Sequence, residues 1–191
     1  HGQPSGGGGF DGICHGLAPG AGDRPGNGRY VAGGNNDRFE HIQDGQRREL
    51  FNVKGAGMIN HIWITIAPPP ERLSRNDIIL RMYWDGNERP AVEAPLGDFF
   101  ANSFGKRSEV ISVPVVVEDA DSYNCFWRMP FRKSARVEVV NQSEKKLNLL
   151  YYNIDWIRLD SLSKNTPYFY AQYRQEYPAR SGQDYVLLET T

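Results

Sequence analysis

Carboxylates, guanidinium groups and aromatic rings are the side chains of this sequence whose chemistry could converge on one ligand. Hydrolysis of a sugar linkage needs two carboxyl groups roughly 5 to 10 Å apart, one to attack or activate water and one to pass a proton. Candidate carboxylates stand in the run Ala91-Val92-Glu93-Ala94-Pro95-Leu96-Gly97-Asp98-Phe99-Phe100 and at Asp155, Asp160, Glu176 and Glu189, and no spacing along the chain singles out a pair. Arginine outnumbers lysine 16 to 6, with Arg128, Arg132, Arg136, Arg158 and Arg174 in or beside expected strands. A guanidinium fork orients a carboxylate or a hydroxyl pair more rigidly than an ammonium does, which suits a binding site, a subunit interface or a salt-bridged surface.

Aromatic residues make up 12% of the chain, and Tyr83, Trp127, Tyr151, Tyr152, Trp156, Tyr168, Tyr170 and Tyr173 alternate onto strand faces that should meet solvent. Rings beside Arg and Asp suit sugars, whose C–H faces stack on aromatics while their hydroxyls bond charged groups. The competing reading is that both faces are covered, by a second sandwich or by a subunit. His61, opposite an isoleucine face with Trp63 two residues on, reads as a hydrogen-bonded packing residue rather than a base. There is no G-x-S-x-G elbow, no H-E-x-x-H and no phosphate-binding loop, so serine hydrolase, zinc protease and nucleotidase readings lose their usual support.

The elements that must position these groups follow a period of two. Met58, Ile62, Ile64 and Ile66 share one face of a strand that stops at Pro68-Pro69-Pro70, with His61, Trp63 and Thr65 on the other. Asp77 to Trp84 repeats the pattern with Ile78, Leu80, Met82 and Trp84 inward, and Asp85-Gly86-Asn87 supplies the turn chemistry of a hairpin. Further strands are expected at Glu49 to Lys54, Glu109 to Val117, Tyr123 to Met129, Ser134 to Val140, Leu147 to Leu159, Pro167 to Arg174 and Asp184 to Glu189. Pro114 places one of them at an edge or marks a bulge. No long window has helical periodicity; Arg38 to Leu50 comes nearest, and Gly45 interrupts it. Short strands at this spacing predict an all-β antiparallel sandwich, a jelly roll or a related Greek key.

The chain has 191 residues, is 39% hydrophobic and carries a net charge of −1 from 22 basic and 23 acidic residues that are interspersed. That length can bury a real core, and no block of like charge tracks a phosphate backbone or an anionic membrane, so neither nucleic acid nor a membrane is an expected partner. Apolar runs such as Ile62 to Ile66 fall far short of a membrane helix, and a soluble protein is expected, in the cytoplasm or in the periplasm or outside the cell. The start at His1, without a methionine or an apolar leader, reads as a processed terminus or a cloning boundary. Cys14 and Cys125 make one bridge or two free thiols. Thirteen of the 20 glycines fall in the first 34 residues, so residues 1–32 read as a glycine-rich flexible segment and residues 33–191 as the folded domain.

Six segments in order resemble glycoside hydrolase family 172, formerly domain of unknown function 2961. They are Gly33-Gly34-Asn35-Asn36-Asp37-Arg38-Phe39, Gly55-Ala56-Gly57-Met58-Ile59-Asn60-His61-Ile62-Trp63, Leu80-Arg81-Met82-Tyr83-Trp84-Asp85-Gly86, Glu93 to Phe100, Asn124-Cys125 with Met129-Pro130-Phe131-Arg132-Lys133-Ser134-Ala135, and Tyr170-Ala171-Gln172-Tyr173-Arg174. The resemblance implies a jelly roll assembled as homotrimers or hexamers, and retaining hydrolysis or transfer of α-D-fructofuranosides or α-D-arabinofuranosides by two glutamates, with no metal or other cofactor. Those glutamates lie in W-G-E-G-like and G-T-G-T-E-D-Y-like motifs, downstream of the segment that corresponds here to Asp184 to Glu189. Neither motif has a matching position in this sequence, so the resemblance transfers no catalytic residue. Position within the matched motifs makes Trp63, Asp98, Phe99 and Arg132 the candidate pocket lining, with loop geometry and subunit packing as their alternative role. Two functions follow: the N-terminal part of a furanoside hydrolase whose glutamates lie beyond Thr191, or a non-catalytic jelly-roll module for glycan binding or β-rich assembly.

Overall fold

The computed structural model describes residues 29–31, 37–66, 75–105, 108–119 and 121–187, which form two mostly antiparallel β-sheets. The strands are β1 (Arg29–Val31), β2 (Asp37–Ile42), β3 (Arg47–Lys54), β4 (Gly57–Ile66), β5 (Ile78–Trp84) and β6 (Val92–Pro95). A single helical turn, α1 (Leu96–Phe99), separates them from β7 (Val110–Ile111), β8 (Val115–Glu118), β9 (Ser122–Cys125) and β10 (Met129–Phe131). The series ends with β11 (Ser134–Asn141), β12 (Leu147–Arg158) and β13 (Ala171–Gln172). The first sheet runs β1-β12-β4-β9-β8-β7, with β2 also on β12 and β10 on β4. The second runs β13-β6-β5-β11-β3, and its β13–β6 pairing is parallel.

The two sheets share one core because each strand carries its apolar residues on one face. Ile59, Ile62, Ile64, Leu150, Ile154 and Trp156 from the first sheet are buried with Ile78, Leu80, Met82, Trp84, Val137 and Val139 from the second. Each such side chain removed from water contributes about 1.5–3 kcal/mol. Ring pairs bridge the layers: Phe51 meets Trp156 edge-on with centroids 5.8 Å apart, and Trp84 stacks on Phe131 at 6.5 Å.

Several strand assignments differ from the sequence pattern, each for a local reason. In β4, Asp155 pairs with His61 and Trp156 with Ile59, so Asn60 bulges out and the phase flips. Ile59 therefore enters the core, and Met58, expected inward, faces out half-buried. Glu109 to Val117 is a tight hairpin of two strands, with Val110 opposite Val117, because Pro114 stands in the turn and Ser112 bonds the Val115 backbone at both N–H and C=O. Tyr123 to Met129 breaks after Cys125, and Pro167 to Arg174 keeps only the two residues of β13. Residues 184–187 form no strand, and 188–189 lie outside the described residues. Near Arg38 to Leu50, β2 and β3 belong to different sheets, and the chain crosses between them at a turn where Gly45 takes φ +71.

Tyr152 and Trp156, expected toward solvent, lie in the core, while Tyr83 is buried beneath the Arg136 guanidinium, 3.8 Å above its ring. Its hydroxyl donates to Glu138, which also accepts from Arg136 at 2.5 Å. Of the glycine-rich segment, Arg29–Val31 pairs with residues 156–158 of β12, while residues 1–28 and 32–36, the Gly33-Gly34-Asn35-Asn36 turn, Cys14 and the Pro68-Pro69-Pro70 loop lie outside the described residues. Among the described residues no helix is long and apolar enough to cross a membrane.

Gly57 shows how tightly the sheets close. A Cβ there would stand 2.6 Å from Phe131 Cζ and 2.7 Å from the Ile157 carbonyl oxygen. Because backbone cannot yield as a flexible side chain can, Gly57→Ala should lower the unfolding free energy by about 1–3 kcal/mol. Urea denaturation checks this, and an unchanged midpoint at unchanged slope would contradict the packing.

Candidate functional site

Asp85 opens a tight turn in which it takes φ +58 and Gly86 takes φ +79, the two positive angles of a type I′ geometry, closed by Asn87 N–H to the Trp84 carbonyl at 3.1 Å. That turn aims the Asp85 carboxylate at the crossing from β10 to β11. Oδ1 accepts the backbone N–H of Arg132 at 2.9 Å, Lys133 at 2.6 Å and Ser134 at 3.3 Å, and Oδ2 accepts the Tyr168 hydroxyl. Burial would raise this carboxyl, but the bonds from Tyr168 and the three amides outweigh it and hold it below the ordinary carboxylate range.

Arg132 completes the same clamp. Its Nη2 donates to the carbonyls of Ser163, Lys164 and Thr166 at 2.7 to 3.0 Å, and its guanidinium lies 4.5 Å from the Tyr168 ring centre. Trp84 Nε1 donates to the Phe169 carbonyl at 2.8 Å. These contacts press residues 163–169 onto the sandwich and deliver β13 to the edge of β6.

Opposite β13 stands α1. Leu96 and Phe100 plug into the core and leave Asp98 and Phe99 at the surface end of the turn. Buried Asn102 fixes the following loop by exchanging hydrogen bonds with the Ser108 carbonyl and hydroxyl at 2.9 and 2.8 Å. The Ser103 side chain bonds the Asp98 carboxyl; Oδ2 of Asp98 is shielded from water and has no hydrogen-bond partner. Burial pushes this carboxyl above its ordinary range despite the Ser103 bond.

Two grooves open between α1 and residues 170–177, and Ala94, Asp98, Gln172 and Tyr173 line both. The larger, about 1200 Å³, is the more polar of the two, with Asp77, Glu93, Gln142, Gln175 and Glu176 in its walls beside Ile79, Pro95 and Tyr177. The smaller, about 520 Å³, is aromatic, with Phe99, Trp127, Phe169, Tyr170 and Tyr185. The smaller volume is that of an ordinary small-molecule pocket, and its mix of rings with one carboxyl is the surface a polyhydroxylated ring recognises. Two of the carboxylates in the larger groove are engaged: Glu93 accepts from Arg81 Nε at 2.7 Å, and Glu176 Oε1 lies 4.0 Å from Arg180 Nε. Burial, and then the charge of Asp98, raises the Tyr173 hydroxyl.

The structure brings Asp98 and Phe99 together in the aromatic groove and places Trp63 and Arg132 elsewhere. Trp63 is on the outer face of β4, with Nε1 donating to Ser122 Oγ at 3.0 Å. On that face His61 contacts Asp155 Oδ2 at 3.0 Å and Asn124 Oδ1 at 3.1 Å, and its ring stacks on Phe126. Both ring nitrogens are engaged, in keeping with a packing role. Arg132 acts through the 163–169 segment it holds. Sequence reasoning did not select Asp85, Ser103, Phe169 or Tyr185; the turn at Asp85-Gly86 was legible, but not the partner of its carboxylate some 47 residues away. Cys125 is fully buried, and burial pushes its thiol up to about 12, so it packs rather than reacts. Among the described residues no group of three or more His, Cys, Asp or Glu could hold a metal ion.

In comparison with known protein families, residues 35–154 match the model of the GH172 domain-like family. That span runs from the approach to β2 through most of β12 and includes α1 and both partners of the Asp85 crossing. No curated protein matches the chain.

The clamp has a pH signature. A carboxyl held below its unfolded value stabilises the fold above that unfolded value, near 4, and the contribution is lost as the pH falls through the lower folded value. Asp85→Ala, which strands three backbone N–H groups, should cost about 1–3 kcal/mol at neutral pH and flatten the loss of stability in acid. Denaturant titrations from pH 7 down to 3, with amide exchange over residues 163–173, check it; exchange there no faster than in β5 would contradict a clamp on the groove wall.

Proposed function

The chain belongs to the GH172 domain-like family, and from that membership we propose that it is the sugar-recognising, N-terminal part of a retaining glycoside hydrolase acting on α-D-fructofuranosides or α-D-arabinofuranosides. On this reading the two sheets form a jelly roll that assembles as a homotrimer or hexamer. The observation that carries it is the aromatic groove beside Asp98 and Phe99, built where a family-matched helical turn meets the strap that Asp85 and Arg132 hold. Rings stack on the sugar face, and the carboxyl accepts from hydroxyls.

Retaining hydrolysis needs an ionised nucleophile and a second carboxyl that donates and then accepts a proton. The family's two glutamate motifs have no counterpart in these 191 residues, so the hydrolytic pair is assigned to chain outside them. The same absence of both motifs supports the second reading, a module that binds glycans without cleaving them.

Calorimetry and a p-nitrophenyl α-D-arabinofuranoside assay separate these outcomes. The chain alone should bind methyl α-D-arabinofuranoside and release no nitrophenol; turnover by the chain alone would overturn the assignment of the glutamates, and absence of furanoside binding would overturn the sugar reading. Light scattering should give the mass of three or six chains, and a monomer at micromolar concentration would remove the oligomer from the proposal.

A further inference from the structure

We propose that the two grooves are consecutive subsites of one cleft that binds two linked sugar rings, one over the aromatic wall and the next in the polar groove, with Asp98 between them. The inference rests on the sugar-binding reading above and adds to it the length and polarity of the ligand. Its first support is shared walls: Ala94, Asp98, Gln172 and Tyr173 line both grooves, so the two are contiguous.

The second support is the difference between the two linings. Trp127 is 42% exposed, and its ring lies 5.8 Å from that of Phe169, giving the smaller groove an accessible apolar platform of the size of one sugar ring. The larger groove offers amides and carboxylates, Gln142, Gln175 and Glu93 among them, which suit a ring bound by its hydroxyls. A ligand that stacks at one end and hydrogen-bonds at the other is a linked pair of unlike surfaces, as two glycosidically joined rings are.

The third support is the unsatisfied oxygen at the junction. The Asp98 carboxyl is bonded by the Ser103 side chain and by its own backbone N–H and has no partner at Oδ2. A shielded acceptor without a donor has lost its water without a replacement. Rotation about χ2, a soft torsion for a carboxylate, would offer that oxygen to a hydroxyl arriving in the cleft. Two rings meeting at Asp98 bring such hydroxyls from both sides.

The test compares methyl α-D-arabinofuranoside, the methyl glycoside of α-1,5-linked D-arabinofuranobiose, and maltose, by calorimetry and by Trp fluorescence. The biose should bind at least tenfold more tightly than the single ring. Trp127→Ala should weaken both furanosides about tenfold. Gln142→Ala, at an exposed position in the larger groove only, should weaken the biose and leave the single ring unchanged. Asp98→Asn, which keeps an oxygen for Ser103 and turns the other acceptor into a donor, should weaken the biose about tenfold, with circular dichroism confirming the fold of each variant. Equal affinity for one ring and two would overturn the paired subsites and leave the furanoside reading standing. Maltose bound with the same response to Gln142→Ala, and neither furanoside bound, would overturn the furanoside reading and uphold the paired subsites. No binding of any of the three would overturn both.

Discussion

The carboxylate of Asp85 is the constraint on which the rest of the structure depends. It stands in the turn after β5, in the second sheet, and accepts three consecutive backbone N–H groups where the chain passes from β10 in the first sheet to β11 in the second. A strand crossing between sheets strands its amides, because neither ladder can take them, and a buried amide without a partner costs as much as a lost hydrogen bond. One carboxylate satisfies all three and still has Oδ2 for Tyr168. The same atoms thus close the sandwich and anchor the segment that becomes the wall of the cleft.

Fold and site are therefore not separable in this domain. Arg132 has its backbone N–H on Asp85 and its guanidinium on three carbonyls of the strap, so the side chain that reports the sheet crossing also sets the position of Phe169. Trp84, fully buried, reaches the same strap through its indole N–H. On the opposite side of the cleft, Leu96 and Phe100 seat α1 in the core and thereby fix Asp98. Each wall of the cleft is held from beneath by core residues, which is how a rigid scaffold places loop residues within reach of a ligand.

The sequence was most legible where one face of a strand is buried and the other wet. Ile78, Leu80, Met82 and Trp84 alternate without interruption, and all four lie in the core. Legibility failed at Asn60, because a bulge changes the phase of a strand without changing its composition, and at Pro114, where a proline that fits an edge strand equally fits a hairpin turn. It failed again at residues 167–174, whose aromatic content suits a strand but whose order comes from Asp85 and Arg132, far away in sequence. Of the candidate site, Asp98 and Phe99 were reachable through their motif. The roles of Asp85, Ser103 and Phe169 exist only once α1, β5 and the strap are adjacent, and no local pattern encodes that adjacency.

Two clusters on this molecule carry the residue types of an active centre, and hydrogen-bond accounting decides between them. On the outer face of the first sheet, His61 engages Asp155 and Asn124, Asn153 donates to the other Asp155 oxygen at 3.2 Å, and Trp63 donates to Ser122. Phe126 stacks on the imidazole, and both ring nitrogens already lie within hydrogen-bond distance of a side-chain oxygen. At Asp98 the balance is reversed: one carboxyl oxygen lacks a donor, with an aromatic platform on one side of it and amides and carboxylates on the other. A closed polar network rigidifies, whereas an open one adjoining a cavity is completed by what enters. The dyad that most resembles catalytic machinery is a fastening of the sheet, and the residue with the incomplete shell is the one around which the sugar site is proposed.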